Sequence, residues 1–389
     1  MKFEARPGAV GSIGWISAAR DSAAWISLAI PRVTQRFASV STMLGYGRER
    51  RPNPTDARRA FLAAVLLLNG FATTASAQVP EVRFARQFSM GYLQFNLIER
   101  FNLLEKHAKL QGIPEVKTTW SVFNSPAAMN DALLSGSIDV VTGGVPGLLT
   151  IWARTQGTPN PVKGIAAFTS QPVLLNTNKP EIKSIADFTD KDKIAVPAPK
   201  VSIQAIILQM AAAQKWGQAN FAKLDPITVG MSPPDSTIAL LSGSTDVGSV
   251  FSVPPYQTQQ LEKEGVRTIL NSYDVFGGPH TFTMAWTSTQ FHDKNPALYK
   301  ALMAAFTEAT EIMNKDARPA AEHWIESTKS KLPVDKVLAI ATGPQVKWTM
   351  APENSMKYAE FMHSVGSIKV KPATWKDLFF PEAHGLPGS

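Results

Sequence analysis

The 389-residue chain contains no cysteine. This absence excludes disulfides, thiolate catalysis and cysteine-based metal sites, and it removes the cysteine that carries the lipid anchor of many exported proteins. Its glycines form neither a GxGxxG nor a P-loop pattern, and no GxSxG nucleophile elbow occurs. The six histidines are scattered, without an HExxH motif or a pair at metal-ligand spacing. We therefore predict a protein that is not an enzyme and holds neither a cofactor nor a metal.

An excess of positive charge is confined to the N-terminal fifth of the chain. Residues 1–77 carry ten Lys+Arg and four Asp+Glu, whereas residues 78–389 carry 29 and 27, a net charge of +2. A protein that binds nucleic acid needs clustered basic residues to neutralise phosphates. The near-neutral remainder therefore predicts no nucleic-acid partner.

The chain has one long apolar run, and its surroundings resemble a secretory signal peptide. An Arg pair at 58–59 precedes the apolar residues 60–72, and Ala-Ser-Ala at 75–77 provides a small-x-small cleavage site. The run is shorter than the about 20 residues that span a bilayer. An uncleaved anchor or a buried core helix is the alternative interpretation. The Arg pair also resembles the twin-arginine export motif.

The predicted signal peptide indicates where translation starts and in which compartment the protein lies. Because a signal peptide opens a protein, we expect translation to start at Met43, with residues 43–77 as the signal peptide. Residues 1–42 are then a disordered or mis-started extension. A soluble exported protein without a lipid anchor is retained only by a second membrane. We therefore expect a periplasmic protein, with secretion into the medium as the alternative.

A sixteen-residue stretch occurs twice. Residues 125–140 read SPAAMNDALLSGSIDV and residues 232–247 read SPPDSTIALLSGSTDV, with ten identical positions. Each copy begins with Ser-Pro, which suits a helix cap and first turn, and a glycine after the apolar run suits the helix end. An Asp-Val pair then begins a strand. The repeat predicts two α/β units of the same design, about a hundred residues apart, facing each other across a cleft.

Alternating strand and helix patterns predict two lobes. A helix is expected from Tyr92 to Leu110, because apolar residues recur along it at helical spacing. We predict an α/β fold in which each lobe is a mostly parallel sheet flanked by helices. The first lobe comprises residues 78–179 and 276–389, and the second comprises residues 180–275. The chain is expected to cross between them near 178–182 and near 272–280. His280, beside the second crossing, is expected to have a structural or exposed role.

Four segments carry a resemblance to a known family: residues 82–107, 132–149, 183–204 and 238–256. Together they resemble the solute-binding proteins of ABC importers in the nitrate, sulfonate and taurine class. The resemblance implies a two-lobed periplasmic binding protein fold of type II, a ligand held between the lobes, and delivery to a membrane permease with its ATPase. Family members often have Gly-Asp-x-Pro after the third strand. Here Val145 follows Gly144, so a carboxylate for a ligand amine is missing.

Candidate ligand-binding residues lie in six loops at the carboxyl ends of the predicted strands, facing helix N-termini. Hydroxyl, amide and aromatic groups in these loops suit an organic anion. The candidates are Gln87, Phe88, Ser89, Tyr92, Asn124, Ser125, Thr142, Gly143, Lys200, Ser202, Ser232, Phe251 and Tyr256. For Ser125, Ser202 and Ser232 the alternative is plain helix capping.

The ligand is expected to be a small organic anion, sulfonate-like or an apolar or aromatic carboxylate. The aromatic residues of the loops favour an organic body over a bare inorganic ion. Binding should draw the two lobes of a monomer together. Two other functions stay open: a periplasmic sensor that presents its ligand to a receptor, and a hydrolase that uses Asp, Ser and His.

Overall fold

A computed structural model of the chain describes residues 80–389. The extension (1–42) and the signal peptide (43–77) predicted above lie outside the described residues. The strands are β1 (Glu81–Arg86), β2 (Lys117–Val122), β3 (Val140–Gly143), β4 (Val162–Ser170), β5 (Leu174–Thr177), β6 (Ile194–Val196), β7 (Thr228–Gly230), β8 (Ser249–Ser252), β9 (Arg267–Asn271), β10 (Thr281–Ser288) and β11 (Lys347–Trp348).

Helices cover the faces of both sheets. They are α1 (Leu93–Phe101), α2 (Leu103–Leu110), α3 (Pro126–Leu134), α4 (Val145–Thr155), α5 (Ile203–Trp216), α6 (Pro233–Ser242), α7 (Tyr256–Gln260), α8 (Ser272–Phe276), α9 (Thr289–Lys294), α10 (Pro296–Lys315), α11 (Arg318–Thr328), α12 (Val334–Ala341) and α13 (Ser355–Ser364). A short 3₁₀ turn, Met90–Tyr92, follows β1 after a three-residue loop.

The strands form two sheets, which confirms the predicted two-lobed α/β architecture. The first has the order β11-β4-β10-β3-β1-β2 and the second the order β7-β6-β8-β5-β9. Strands β1, β2 and β3 run parallel to one another, as do β6, β7 and β8. The strands on either side of the crossings (β4, β5, β9 and β10) pair antiparallel. Each sheet is therefore mixed, with its parallel part made by the strands that lead into helices.

The first crossing lies earlier than the sequence indicated. Strand β5 pairs with β8 and β9 of the second sheet, so the chain changes lobes at residues 171–173 and not at 178–182. The reason is that Leu174–Thr177 pairs with second-lobe strands, although its sequence would suit either sheet. The second change of lobe occurs between β9 and β10, over residues 272–280.

The helix expected from Tyr92 to Leu110 is divided in two. Asn102 has a left-handed backbone (φ 48°), which ends α1 and allows α2 to start at a new angle. Asn is one of the few side chains that tolerates this conformation, because its short polar group bonds locally. The 3.6-residue periodicity continues across the break, so the pattern alone did not reveal it.

An aromatic cluster forms the centre of the first lobe. Phe84 of β1 stacks on Trp120 of β2 with ring centroids 4.4 Å apart. Phe95 meets both Phe84 and Phe168 edge to face, each at 5.2 Å, and Phe306 closes the cluster 5.0 Å from Phe168. Rings in these geometries stabilise a core beyond the area that they bury. The cluster therefore fixes helices α1 and α10 on one face of the sheet.

The two crossings are tied together by Ser272, whose hydroxyl also bonds a buried histidine. Ser272 N donates to Val173 O (3.1 Å), and Val173 N donates to Ser272 Oγ (3.0 Å). His280 is completely buried. The Ser272 hydroxyl donates to its Nε2 (2.8 Å), and its Nδ1–H faces the Thr281 carbonyl (3.1 Å) and the Tyr358 hydroxyl (3.0 Å). The imidazole is thus neutral and structural, and burial lowers its pKa to about 4.

The His280 imidazole predicts that acid destabilises the protein. Its pKa of about 4 lies below the about 6.5 of an exposed imidazole. Between these values the unfolded chain binds the proton, so the free energy of unfolding falls as the pH is lowered through that window. The loss from this group is ~3 kcal/mol between about pH 7 and pH 4. The free energy of unfolding, measured with denaturant at several pH values in this range, should fall less steeply with decreasing pH for His280→Gln than for the unmodified protein. His363→Gln, at an exposed position, is the control, and a slope that His280→Gln leaves unchanged would contradict the assignment.

Candidate ligand-binding site

A narrow cavity lies where the carboxyl ends of the parallel strands of both sheets meet. Its walls come from the loops after β1, β2 and β3 on one lobe and after β6, β7 and β8 on the other. The lining residues are Gln87, Phe88, Ser89, Tyr92, Pro126, Gly144, Gly147, Pro197, Ser202, Ile203, Gln204, Pro233, Val253 and Phe282. In open α/β sheets this edge is where ligands bind, against helix N-termini.

The cavity is small because the lobes approach closely. Its volume is about 30 Å³, whereas pockets for organic ligands have about 300–1,000 Å³. A Cβ atom built on Gly144 would lie 2.8 Å from Ile203 Cβ of the other lobe. Beside this contact, Ser89 Oγ and Met90 N both donate to the Pro254 carbonyl (3.0 and 2.9 Å). An organic ligand therefore enters when the lobes part, and the lobes then close around it as far as its volume allows.

The start of α5 presents free hydrogen-bond donors to the cavity. Ser202 is its N-cap, and Ser202 Oγ accepts from Ala205 N (3.3 Å). The amides of the first two helical residues, Ile203 and Gln204, have no acceptor within the described residues. Both residues line the cavity. Unpaired amides in the first turn of a helix, together with its dipole, suit an anion.

Two glutamine side chains line the cavity, one from each lobe. Gln204, in the first turn of α5, is only 3% exposed. Its carboxamide has no hydrogen-bond partner among the described residues. The Gln87 carboxamide, on the loop after β1, also has none. Buried polar groups almost always have partners. The buried Gln204 carboxamide therefore indicates one position where a ligand's polar atom would bind, whereas Gln87 is only half-buried and open to water.

The cavity walls carry almost no ionisable groups. Of the described residues that line it, Tyr92 alone has an ionisable side chain, and burial raises the pKa of this phenol well above its usual value. Phe88, Phe282 and Val253 add apolar surface. The walls are thus neutral over the physiological range, and both lobes contribute polar and apolar groups to them.

Five of the thirteen candidate residues line the cavity: Gln87, Phe88, Ser89, Tyr92 and Ser202. The structure places eight elsewhere: Asn124, Ser125, Thr142, Gly143, Lys200, Ser232, Phe251 and Tyr256. Several of these are neighbours in sequence of a lining residue. Ser125 precedes Pro126, and Ser232 precedes Pro233.

The eight have identifiable structural surroundings. The Thr142 hydroxyl donates to the Ala85 carbonyl (2.9 Å), and Gly143 packs on the Trp286 ring. Ser125 and Ser232 cap α3 and α6. Asn124 is exposed, and Lys200 is an exposed residue with a positive φ of 66°. Phe251 is buried in the core of the second lobe, and Tyr256 packs against the same core.

A wider crevice of about 310 Å³ lies beside the first crossing. It is lined by Gln171, Pro172, Gln257 and residues of α12 and the following loop. No helix of eight or more residues begins at this crevice among the described residues. The narrow cavity, which has both the strand ends and the unpaired donors, is therefore the better candidate.

The described part of the chain shows neither a membrane span nor a metal site. None of the helices between residues 80 and 389 combines the length and apolarity needed to cross a bilayer. The same residues bring together no group of three or more His, Asp or Glu side chains suited to a metal ion.

Comparison with solved structures identifies the fold class as that of periplasmic binding proteins. The periplasmic aliphatic sulphonate binding protein of Escherichia coli is 22% identical, with a TM-score of 0.56 over 77% of this chain and 98% of that chain. The periplasmic nitrate-binding protein of Synechocystis PCC 6803 is 18% identical, with a TM-score of 0.58 over 77% of this chain and 84% of that one.

Sequence comparison gives the family. The model of the NMT1-like family matches residues 95–325, more than half of the chain, so the chain belongs to that family. An Escherichia coli protein described as an aliphatic sulfonates-binding protein is 26% identical over 254 residues, which are 64% of this chain and 72% of that protein. The resemblance to solute-binding proteins of the nitrate and sulfonate class, predicted from the sequence, is confirmed.

The contact between Gly144 and Ile203 predicts how a single methyl group would affect closure. Gly144 has φ −76°, which any residue adopts, so Gly144→Ala should alter the lobe spacing and not the backbone. We expect about tenfold weaker ligand binding, because the new Cβ holds the lobes apart, and a larger radius of gyration by small-angle scattering.

A second substitution separates this steric effect from general damage. In the double variant Gly144→Ala/Ile203→Gly, the atom that the new Cβ meets is gone, and both the affinity and the radius should return toward their original values. Gly385→Ala, which meets nothing within 4 Å, is the control. Unchanged affinity and radius in Gly144→Ala would show that this contact does not limit closure.

Proposed function

We propose that this protein is the solute-binding component of an ABC import system. It captures a small organic anion in the interlobe cavity and delivers it, unchanged, to a membrane permease that is driven by an ATPase. The observation that carries the proposal is the cavity itself, because unpaired donors from the strand-end loops of two lobes converge there. The family and the sulfonate-binding and nitrate-binding relatives support it.

The anionic nature of the ligand is supported by the donors of the site. The Ile203 and Gln204 amides, the Ser202 hydroxyl and the two carboxamides can all donate to oxygen atoms. Amides at a helix start bind sulfonate or carboxylate oxygens without a basic side chain. An organic body is supported by the apolar and aromatic surface that Phe88, Tyr92 and Phe282 of the first lobe offer beside these donors.

Closure of the lobes is the proposed capture step. The Ser89 and Met90 bonds to Pro254, together with the contact of Gly144 with Ile203, join the lobes at the cavity. A ligand touched by both lobes favours the closed form by its differential affinity for it. A permease can then distinguish the loaded protein by the relative position of its lobes.

The proposed location is the periplasm, with the protein acting as a monomer. The support comes from the predicted signal peptide at 43–77, the lack of cysteine for a lipid anchor, and the periplasmic relatives. The permease and its ATPase are the expected partners.

A thermal-shift screen with sulfonates, aromatic carboxylates and nitrate tests this function. A ligand at a hundred times its Kd stabilises the folded state by about 2.7 kcal/mol, so the melting temperature should rise by roughly 5 °C or more. Calorimetry should then give one ligand per chain, and chromatography should recover the ligand unchanged. Turnover of the ligand would replace the proposal by an enzymatic function. If organic cations shifted the melting temperature and anions did not, the proposal of an anion would be overturned.

A further inference from the structure

We infer that the site selects ligands with a single negative charge and no ammonium group, and that Gln204 holds the charged head at the start of α5. This inference rests on the proposed function and specifies its ligand class. It assigns a specificity role to a residue of the first turn of α5 that the loop pattern did not single out.

The donors for the head are concentrated in three consecutive residues. Ser202 Oγ accepts from Ala205 N, and its own hydroxyl hydrogen has no acceptor among the described residues. The Ile203 and Gln204 amides are free, and the Gln204 carboxamide adds two more N–H groups. Ser202 and Gln204 are 1% and 3% exposed. Their unpaired donors face the cavity, since both residues line it.

The other helices that begin at the cavity offer fewer donors because of proline. Helix α3 starts with Pro126, α4 has Pro146 in its first turn, and α6 starts with Pro233 and Pro234. Proline has no amide hydrogen to donate. Helix α5 has no proline at its start, so its N-terminus is the one best equipped to hold the oxyanion.

The charge that this arrangement can compensate is small. A helix N-terminus carries the equivalent of about half a positive charge, and none of the described residues that line the cavity is Lys or Arg. A second negative charge on the ligand would be buried without a counter-charge, which is costly. An ammonium group would meet the same difficulty, since none of the described residues that line the cavity is Asp or Glu. The acidic residue nearest in sequence, Asp235 of α6, is exposed and accepts a bond from the Ser232 hydroxyl. A sulfonate or carboxylate with an uncharged body satisfies both limits.

Titration of the protein should not disturb this selection. The ionisable side chains on the cavity lining or within three residues of a lining residue are Tyr92, Tyr256, Arg86, Lys200, Asp235 and His280. Burial raises the pKa of both tyrosines, to about 12 for Tyr256. Arg86 is paired with Glu99 (3.5 Å), and Lys200 is exposed. Of these groups only a histidine ordinarily titrates between about pH 5 and pH 8, and burial lowers the pKa of His280 to about 4. We therefore expect any change of affinity in this range to come from the ligand.

Three ligands with the same butyl chain test the charge rule by calorimetry. Butanesulfonate has one negative charge at both pH values and should bind equally at each. Butyl phosphate loses its second proton near pH 6. It should bind like the sulfonate at about pH 5 and about 100-fold more weakly at about pH 8. 4-Aminobutanesulfonate, which adds an ammonium group, should also bind about 100-fold more weakly than butanesulfonate.

Substitution of Gln204 tests the residue. Gln204→Glu places a carboxylate beside the head and should weaken butanesulfonate binding about 100-fold at pH 8, while it improves binding of 4-aminobutanesulfonate relative to butanesulfonate. Gln204→Met keeps the length but removes the donors, and should cost about 10- to 100-fold. Gln290→Glu adds the same charge at an exposed position at the opposite end of the first sheet, and should change neither affinity. Melting curves establish that each variant is folded.

The outcomes separate this inference from the proposed function. Equal binding of butyl phosphate at both pH values, or of 4-aminobutanesulfonate and butanesulfonate, overturns the charge rule and leaves the import function standing. Unaltered butanesulfonate binding in both folded Gln204 variants overturns the role of Gln204. If none of the three ligands nor any compound of the wider screen binds, the proposed function fails, and this inference fails with it.

Discussion

The relative position of the two lobes at the site depends on one steric constraint, the packing of the Gly144 backbone against the Ile203 side chain. A residue without a side chain lies between β3 and α4, so the opposing helix α5 can approach within contact distance. That approach places the free amides of α5 opposite the loop after β1, where Gln87 lies. The hydrogen bonds from Ser89 and Met90 to the Pro254 carbonyl also hold the two lobes together. Closure therefore depends on a small contact area, which a bound ligand can reinforce and a single methyl group can oppose.

The sequence predicted those parts of the fold that depend on neighbouring residues. In both copies of the repeat, a serine accepts a bond from the helix amides, proline follows it, and a glycine with positive φ ends the unit (Gly136, 72°; Gly243, 64°). Caps and turns of this kind are short-range, so one sequence suffices to find them. The first crossing was misplaced because β5 has the same apolar pattern whichever sheet it joins. Only its pairing with β8 and β9, which are far away in sequence, decides the lobe.

The site could be predicted as a set of loops, but not as a set of side chains. A loop at a strand end contains residues that point in different directions. Side chains of a strand point alternately to its two faces, and the Thr142 hydroxyl in β3 donates to the Ala85 carbonyl. Gln204 was missed, because a glutamine in the first turn of a helix usually faces water. One signal was present: the next residues, Ala205 to Met210, are mostly apolar on every face, which indicates a buried helix. A glutamine at the start of such a helix is a buried polar group, and such groups need a partner.

The uncharged walls of the cavity determine which form of the cleft, open or closed, a ligand favours. Donors that face water in an open cleft lose that water as the lobes approach, and an unpaired buried donor costs about 1–3 kcal/mol. Several such donors are concentrated between Ser202 and Gln204, so closure is favourable to the extent that something satisfies them. An oxyanion does so with several oxygen atoms at once, and it introduces the one full charge at the site. A basic side chain would instead offer strong attraction in the open form and raise affinity for both forms together. Because its donors are amides and carboxamides, the site makes its strongest contacts with the ligand only in the closed state. That is the state that ligand binding has to favour.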